Sequence, residues 1–429
     1  MDSVVHRGFG EQSIVTAFPK SPFVVMKFGG TSVATADNWH VIAGLVRARV
    51  EQGLRPVVVH SALAGISNAL QELPEIAIES GGAEQIEAIR QRHKALAEEL
   101  GVDPALCDPH FDTLQQLIDG VRLVGEISPR VLARIMATGE LAATKLGAAF
   151  LAQEGLATEW RDAREILLSE SLEDQSERAA FLSASCAFEP DEGFQGDLAS
   201  RKSVVVSQGF IARNDAGETV LLGRGGSDTS AAYLAAKLGA RRLEIWTDVP
   251  GFFSSDPQAV PSARLLRTLH YREAQEIASA GGGVLHPRSI SPVRRYCIPL
   301  FLRCTHRPDW EGTVVSDATG EDTPRIKAIS RRTRVTLISM ESMEMWHQVG
   351  FLAEAFECFR THGLSVDLIS TSESNVTVSI DLAANVADGA TLERLVADLR
   401  RLCRVRLIKD CAAVTLVGRK IRATLHVLS

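Results

Sequence analysis

Short apolar runs alternate with segments of helical periodicity along most of the chain. Residues 23–28 (FVVMKF) and 56–60 (PVVVH) predict buried strands, and residues 37–50 between them have the spacing of a helix. A strand, a helix and a second strand at this spacing indicate a βαβ unit, and therefore a parallel sheet. Further strands are predicted at 203–211 and 243–248, so this part of the chain indicates one α/β domain.

Turn and cap residues set several element boundaries. Ser128-Pro129 is a favourable helix start, because serine is a good N-cap and proline fits the first helical position. We expect this helix to be interrupted or restarted at residues 138–140 (TGE). Residues 214–217 (NDAG) predict a hairpin turn, and another helix is predicted to begin at about Thr229.

The last hundred residues have a different pattern. Six elements follow in the order β-α-β-β-α-β, which predicts a small ferredoxin-like unit. They are strand 334–339, helix 351–362, strands 364–370 and 375–381, helix 391–402 and strand 412–417. We therefore expect four regions: a flexible leader at 1–22, a catalytic domain at 23–325, a regulatory domain at 326–411, and the start of a second, incomplete regulatory unit at 412–429.

Composition and charge exclude several classes of protein. With 45% hydrophobic and 23% charged residues, the chain is neither disordered nor fibrous. The 46 Lys and Arg residues against 53 Asp and Glu give a net charge of −7, which argues against a nucleic-acid partner. Anionic substrates stay possible, because a local cluster of cations is enough to bind them.

The cysteines and the apolar segments bear on location. Seven cysteines without a CxxC pair suggest neither a disulfide framework nor a zinc site, and free thiols fit a reducing cytosol. The N-terminus lacks the apolar region of a signal peptide, and no stretch of 18 apolar residues occurs. We therefore expect a cytoplasmic protein that does not span a membrane.

Two glycine-rich segments carry candidate chemistry. Lys27 ends an apolar strand beside Gly29-Gly30, where an ammonium and backbone N–H groups can converge on a phosphate. The alternative is a lysine that reaches solvent before an ordinary turn. Residues 223–229 (GRGGSDT) combine close backbone approach, a helix start and Arg224, which can grip a carboxylate. The alternative there is a capped surface turn.

Two further sites are weaker on their own. Residues 246–251 (WTDVPG) end a buried strand with polar side chains, at the edge where open α/β sheets bind ligands. Glu140, within a helical pattern, reads alone as a residue of a solvated helix face. A Walker A loop is absent, and Asp228 in place of glycine leaves a Rossmann dinucleotide site unsupported.

Together these segments strongly resemble the aspartate kinases, which combine an amino-acid kinase fold with C-terminal ACT domains. The motifs that carry the resemblance are, in order, residues 27–33 (KFGGTSV), 223–228 (GRGGSD), 246–251 (WTDVPG) and 284–287 (VLHP). The likeness covers about residues 24–417. Segments 64–68, 347–356 and 365–373 are similar to the lysine-sensitive branch, and 56–68 and 222–264 to the kinase half of aspartate kinase/diaminopimelate decarboxylase fusions.

The resemblance implies a fold and a reaction. The fold is a mainly parallel open sheet with helices on both faces, followed by an α+β ferredoxin-like ACT regulatory region. The reaction is transfer of the γ-phosphoryl group of MgATP to the β-carboxylate of L-aspartate, the first step toward lysine, threonine and methionine. An ionised carboxylate needs no general base, so catalysis reduces to charge neutralisation and positioning.

The resemblance also implies residue roles. Lys27, Arg224 and Asp228 are catalytic: Lys27 holds the phosphates, Arg224 clamps a carboxylate of aspartate, and Asp228 organises Lys27 or the water shell of Mg²⁺. The metal has no direct protein ligand and is held mainly through ATP. The implied aspartate site is Ser67, Glu140, Arg224, Gly225, Gly226 and Ser227, with Glu140 on the α-ammonium. The implied ATP site is Lys27, Phe28, Gly29, Gly30, Thr247, Asp248, Phe253, Gln258 and Gly283.

Regulation is implied at the ACT region. L-Lysine is the expected allosteric inhibitor, with its amino groups on Asp367 and Glu373 and its carboxylate on backbone N–H groups near Phe351 and Leu352. Two ACT units from different chains are expected to pair into a homodimer. The alternative is that these are ordinary solvated turn residues. The full set implied for lysine is Met345, Gln348, Phe351, Leu352, Ser365, Val366, Asp367, Ser372 and Glu373.

Two departures from the family pattern remove cations near ATP. Gly283 stands where the family has lysine, and Gln258 where it has arginine. Each lost phosphate contact costs about 1.5–3 kcal/mol. Restoring lysine at position 283 is expected to raise ATP affinity, provided that the position tolerates a side chain. One alternative therefore stays open: a degenerate or truncated kinase that serves as a lysine-binding regulatory subunit. A separate alternative is a sibling amino-acid kinase that acts on glutamate or acetylglutamate.

Overall fold

The chain divides into two compact units. The computed structural model describes residues 18–171, 175–201, 204–281, 283–317, 325–342, 350–380 and 389–421. The second unit is Ala328–Val417, and the first holds the chain up to Lys327 together with the residues after Val417.

The first unit is built on an eight-stranded sheet. Every neighbouring pair runs parallel except β9 and β10, so the predicted open, mainly parallel sheet is confirmed. In spatial order the strands are β3 (Thr158–Arg161), β4 (Val204–Gln208), β2 (Arg55–His60), β1 (Phe23–Phe28), β7 (Arg242–Thr247), β9 (Leu300–Cys304), β10 (Thr313–Ser316) and β8 (Thr268–His270).

Helices cover both faces of this sheet. Val24, Met26 and Phe28 of β1 lie in a buried cluster with apolar residues of five helices that precede residue 154. Val25 and Lys27 alternate to the opposite face, and the helix that follows Gly225 packs against β1 and β7. The helices are α1 (Ala36–Glu51), α2 (Ile66–Ser80), α3 (Ala83–Leu100), α4 (Asp108–Val124), α5 (Pro129–Gln153), α6 (Glu177–Leu182), α7 (Glu192–Ser200), α8 (Gly226–Lys237), α9 (Tyr271–Ser279) and α10 (Ile290–Arg295).

The long helix α5 corrects one prediction. It runs through Gly139 without the expected interruption, after the Ser128 N-cap that the sequence predicted. A side chain at Gly139 would place its Cβ 2.9 Å from the Cβ of Ala62, so the glycine permits a close helix contact and does not end the helix. By length and composition α5 is apolar enough to cross a membrane, but 78% of its apolar window is buried inside the structure. It is therefore a core helix.

Two local predictions can be compared directly. The hairpin predicted at 214–217 is present between β5 (Ile211–Arg213) and β6 (Thr219–Leu221), which pair antiparallel. The helix predicted from about Thr229 begins three residues earlier, at Gly226. Gly225 has a φ of 63°, a left-handed conformation that glycine adopts readily, and it precedes the first turn of α8.

The second unit has the predicted β-α-β-β-α-β order. Its sheet has the spatial order β12-β13-β11-β14, and its two helices pack their apolar residues on the sheet. The strand begun at 404 continues through residues 411 and 412, so the expected boundary of a second regulatory unit falls inside one strand. The elements are β11 (Arg325–Glu341), α11 (Phe351–Thr361), β12 (Leu368–Thr371), β13 (Asn375–Ile380), α12 (Gly389–Leu399) and β14 (Arg404–Arg419).

Candidate active site

A buried ion pair lies at the carboxyl end of the central strand. The Nζ of Lys27, on β1, is 2.6 Å from Oδ1 of Asp228, which lies in the first turn of α8. The two side chains are only 11% and 12% exposed. Lys27 therefore does not extend into solvent. The structure brings together the two residues that the family resemblance linked, because β1 and α8 are in contact.

The turn after Lys27 passes close to its neighbouring strands. Gly29 donates its N–H to the carbonyl of Trp246 at 3.2 Å, so this N–H, expected on a phosphate, is engaged by protein. A side chain at Gly30 would come within 2.8 Å of the Ala62 carbonyl, so only glycine fits there without a shift. The turn consequently presents bare backbone beside the Lys27 ammonium.

Ser61 is a site residue that the sequence reasoning missed. It directly follows β2, and its hydroxyl donates to the hydroxyl of Ser227 at 2.9 Å. Gly209, at the end of β4, lies so close to Ser227 that an added Cβ would fall 2.5 Å from the Ser227 Cβ. The ends of β2 and β4 thus fix Ser227 in place. Ser67, predicted in the aspartate site, is half-buried in the first turn of α2. Position after a buried parallel strand was the signal that would have pointed to Ser61.

Glu140 is buried and lies inside the site, not on a solvated helix face. The residue is only 2% exposed, and its Oε1 accepts a hydrogen bond from the Ala62 N–H at 3.2 Å. Its other oxygen, Oε2, has no hydrogen-bond partner in the part of the chain that the structure describes. Burial away from water raises the pKa of Glu140 to about 8. A cation placed at Oε2 would restore the ionised form.

The GRGG loop (residues 223–226) carries a cation, Arg224. The Arg224 side chain is exposed, and within the described residues it makes no ion pair. Gly225 is packed against His286, whose Cβ would lie 2.1 Å from an added Cβ. Gly226, at the start of α8, is packed against Phe210 in the same way. The two glycines are thus packed against protein, while the exposed arginine side chain can bind a carboxylate.

The predicted nucleotide residues Thr247 and Asp248 lie at the end of β7, and Phe253 follows them. Thr247 ends β7 and donates its hydroxyl to the Asp248 carboxylate at 3.0 Å, while its carbonyl accepts from the N–H of Thr305 at 2.8 Å. The Thr305 hydroxyl in turn lies 2.7 Å from that of Ser32, so strand β9 is tied to the glycine turn. Phe253 is half-buried and pairs with Leu265 through an isolated bridge.

The two departures from the family pattern are both at exposed positions. Gln258 lies in a turn in which its N–H donates to the Asp256 carboxylate at 2.9 Å. Gly283 has a φ of 64°, a conformation that disfavours any other residue. The nearest atom to an added Cβ is 3.9 Å away, so there is room for a side chain but at the cost of backbone strain. The condition that position 283 freely tolerates lysine is therefore not met.

The predicted lysine residues that the structure describes lie in the first turn of α11 and in the segments that precede and follow β12. Asp367 forms an ion pair with Arg332 at 3.0 Å, so its carboxylate already has a cation. The Phe351 side chain is buried in the core of the second unit, whereas Leu352, Ser365, Ser372 and Glu373 are exposed and Val366 is half-buried. Met345 and Gln348 lie outside the described residues.

Comparison with known proteins identifies the relatives of this chain. Residues 22–304 match the amino acid kinase family. Lysine-sensitive aspartokinase 3 of Escherichia coli is 35% identical over 413 residues, which are 93% of this chain and 87% of that protein. The structure of E. coli aspartokinase III with aspartate and ADP, called its R-state, matches with a TM-score of 0.81 at 34% identity and covers 94% of this chain and 88% of that one. Its T-state, with lysine and aspartate, matches with a TM-score of 0.75 at 33% identity and covers 94% and 91%.

Proposed function

This chain belongs to the aspartokinases of the amino acid kinase family, and from that premise we propose how its site carries out the reaction. The protein is an aspartate kinase that uses MgATP to phosphorylate the β-carboxylate of L-aspartate, giving 4-phospho-L-aspartate. The observation that carries the proposal is the Lys27–Asp228 pair at the end of the central strand. We assign catalysis to the first compact unit and regulation to the second.

Lys27 is the proposed catalytic cation. The acceptor carboxylate of aspartate has a pKa of about 4 and is ionised at neutral pH, so no residue has to remove a proton. What the enzyme must supply is positive charge where the transferred group passes between two oxygens. The Lys27 ammonium is fixed for this by Asp228 at 2.6 Å, and an added Cβ on Gly29 would lie 3.8 Å from it.

The residues present fit the phosphates of ATP. Gly30 allows backbone to stand where a side chain would collide with the Ala62 carbonyl at 2.8 Å. Mg²⁺ bound with ATP neutralises phosphate charge during transfer. We propose that Mg²⁺ would be held through the phosphates and its water shell, which the Asp228 carboxylate would help to order.

Aspartate is proposed to bind between two residues of opposite charge. Its α-ammonium goes to the unpaired oxygen of Glu140, and one carboxylate goes to the exposed Arg224. Ser227, in the first turn of α8 and hydrogen-bonded to Ser61 at the end of β2, offers a hydroxyl. We propose that the remaining carboxylate of the substrate then faces Lys27.

Replacement of Lys27 tests the proposal. In a coupled assay of ADP release with L-aspartate, Lys27→Met is expected to lower kcat by about 10²–10⁴, because it removes a major electrostatic interaction. Lys237→Met is the matched control: it removes a lysine on α8 that pairs with Asp191 at 3.4 Å. Lys237 ends α8, at the opposite end of the helix from Asp228, so we expect turnover within about twofold of wild type.

Two results would contradict the proposal. Near wild-type turnover by a folded Lys27→Met protein would remove the catalytic role of Lys27. A wild-type chain that binds lysine but releases no ADP with aspartate would support the alternative of a regulatory subunit. L-Glutamate run in parallel tests the remaining alternative of a sibling kinase, which would phosphorylate glutamate in preference to aspartate.

We further propose that L-lysine binds the second unit as an inhibitor and that two second units pair into a homodimer. The support is the likeness to the lysine-sensitive enzyme of E. coli and the edge strand β12, whose Leu368 and Ile369 are 56% and 55% exposed. Lysine must displace Arg332 from Asp367, which predicts that Arg332→Ala binds lysine more tightly and Asp367→Ala more weakly. Calorimetry on both variants, with light scattering for the oligomeric state, checks this. A cytoplasmic location completes the proposal and is supported by seven free cysteines.

A further inference from the structure

A short turn lies against the GRGG loop at three points. The turn is the 3₁₀ segment Pro287–Ser289 with its cap residue His286. The Arg288 guanidinium donates to the carbonyl of Leu222 at 2.7 Å, immediately before the loop. It also donates to the carbonyl of Ala184 at 2.8 Å and to the hydroxyl of Ser185 at 3.0 Å. These bonds fix the turn to the start of the loop.

The second and third points of contact involve His286. Its Cβ lies against Gly225, where an added Cβ would fall only 2.1 Å away. Its backbone N–H donates to Oδ2 of Asp228 at 3.4 Å, while Oδ1 of the same carboxylate holds Lys27 at 2.6 Å. A carboxylate held at one oxygen can rotate about its Cβ–Cγ bond. The His286 N–H at the second oxygen limits this rotation and so helps to orient the carboxylate that pairs with Lys27.

The imidazole of His286 keeps the turn in shape. Its Nδ1 accepts a hydrogen bond from the N–H of Arg288 at 3.3 Å, which is an N-cap on the 3₁₀ segment. Burial, together with the nearby Arg288 and Arg224 cations, lowers the pKa of His286 against the opposing effect of Asp228. The ring is therefore neutral near pH 7, and Nδ1 is free to accept. The Ser289 hydroxyl closes the turn by donating to the His286 carbonyl at 2.6 Å.

We propose that His286 is a positioning residue for phosphoryl transfer: the turn that its imidazole caps holds Asp228, and through Asp228 it aims the Lys27 ammonium. This inference rests on the proposed catalytic role of Lys27. Neither the imidazole nor the His286 N–H needs to touch a substrate. Removal of the imidazole should therefore lower kcat and leave substrate binding largely intact.

The chain offers a matched control in His270. This histidine caps α9 in the same way, with Nδ1 accepting from the N–H of Arg272 at 3.1 Å, and it belongs to a capping box with Glu273. Replacement of either histidine by alanine removes an N-cap, and replacement by asparagine keeps one, because the asparagine side-chain oxygen is a favoured cap. Only the cap at 286 leads to Asp228.

The experiment compares kcat, both KM values and Tm of the full chain for His286→Ala, His286→Asn and His270→Ala. A catalytic group displaced by about 1 Å can lose up to about a hundredfold in rate. We therefore expect His286→Ala to lower kcat by about tenfold to a hundredfold, with both KM values within about twofold of wild type. His286→Asn should keep kcat within about threefold of wild type, because its cap is restored. His270→Ala should lower Tm and leave kcat within about twofold.

Several results would overturn the inference. These are wild-type kcat in folded His286→Ala, an equal loss in His286→Asn, or an equal loss in His270→Ala. If His286→Ala does not fold, Arg288→Met decides the matter by removing the other anchor of the turn: a loss confined to kcat supports the inference, and an unchanged kcat refutes it. Lys27→Met separates the catalytic role of Lys27 from the positioning role of His286. An inactive Lys27→Met together with a fully active His286→Ala would refute the positioning role alone.

Discussion

The buried carboxyl group of Glu140 predicts that aspartate binding releases a proton. In the free protein its pKa is raised to about 8 by burial, so at pH 7 most molecules carry the neutral acid. The α-ammonium of aspartate requires the carboxylate form for an ion pair. Binding therefore has to ionise Glu140, and the proton goes to the buffer. Glu140→Gln removes this step while keeping an oxygen that can accept from the Ala62 N–H.

The size of the effect follows from the distance between pH and pKa. With a pKa of about 8, roughly nine molecules in ten are protonated at pH 7, so close to one proton should be released per aspartate bound. Between pH 6 and 8 each unit of pH changes the ionised fraction about tenfold at most, and the apparent Kd for aspartate should fall by up to about tenfold for each unit of rise. Above pH 8 the dependence should level off.

The same shift has a defined effect on stability. The folded-state pKa is raised above the unfolded value of 4.5, so the contribution of Glu140 is fully present below 4.5 and is lost as pH rises toward 8. Glu140→Gln has no such loss. Its Tm relative to wild type should therefore be higher at pH 8 than at pH 5, as measured by calorimetric scans in matched buffers.

Titration calorimetry at pH 7 checks the proton release. The binding enthalpy of aspartate to wild type should differ between PIPES and Tris, which have low and high ionisation enthalpies, and the Gln variant should bind more weakly with no buffer difference. Buffer-independent enthalpy in the wild type, together with a Kd that is flat from pH 6.5 to 8, would refute the reasoning. It would mean that Glu140 stays neutral or does not meet the ammonium.

Two further predictions concern glycines. Gly283→Lys and Gly283→Ala should both lose about 1–2 kcal/mol of unfolding free energy in chemical denaturation, because each adopts the φ of 64° with a side chain. The strain is common to both, so any gain in ATP affinity of Lys over Ala, expected at about tenfold, measures the restored cation; equal affinities would mean that position 283 does not face the phosphates. Gly139→Ala should destabilise by about 1–3 kcal/mol, because its Cβ would lie 2.9 Å from the Cβ of Ala62. Gly120→Ala in α4, with nothing within 4 Å of its Cβ, should instead stabilise by about 0.4–1 kcal/mol, and thermal unfolding that showed the same sign for both would contradict the close contact at Gly139.

The sequence by itself determined the architecture and the main motifs. The run FVVMKF at 23–28 is a strand because it is continuously apolar, and the order β-α-β-β-α-β of the last hundred residues follows from local periodicity. The link between Lys27 and Asp228 was implied only by the resemblance of their two motifs to the aspartate kinases, and the structure brings the two side chains to 2.6 Å. The strand and the element order depend on residues that are close together in the chain, whereas the Lys27–Asp228 pair needed the family pattern.

Only the tertiary structure decided what surrounds each group. The local sequence around Glu140 predicts a solvated helix residue. The contact that shows it to be a buried acid comes from Ala62, 78 residues away. Gly139 looks like a helix break, and only the approach of α2 and its preceding loop shows that it is a contact point. The second bond to Asp228 comes from His286, 58 residues further along the chain. Burial, pKa and the second partner of a charged group depend on such distant contacts, and no local pattern in the chain encodes them.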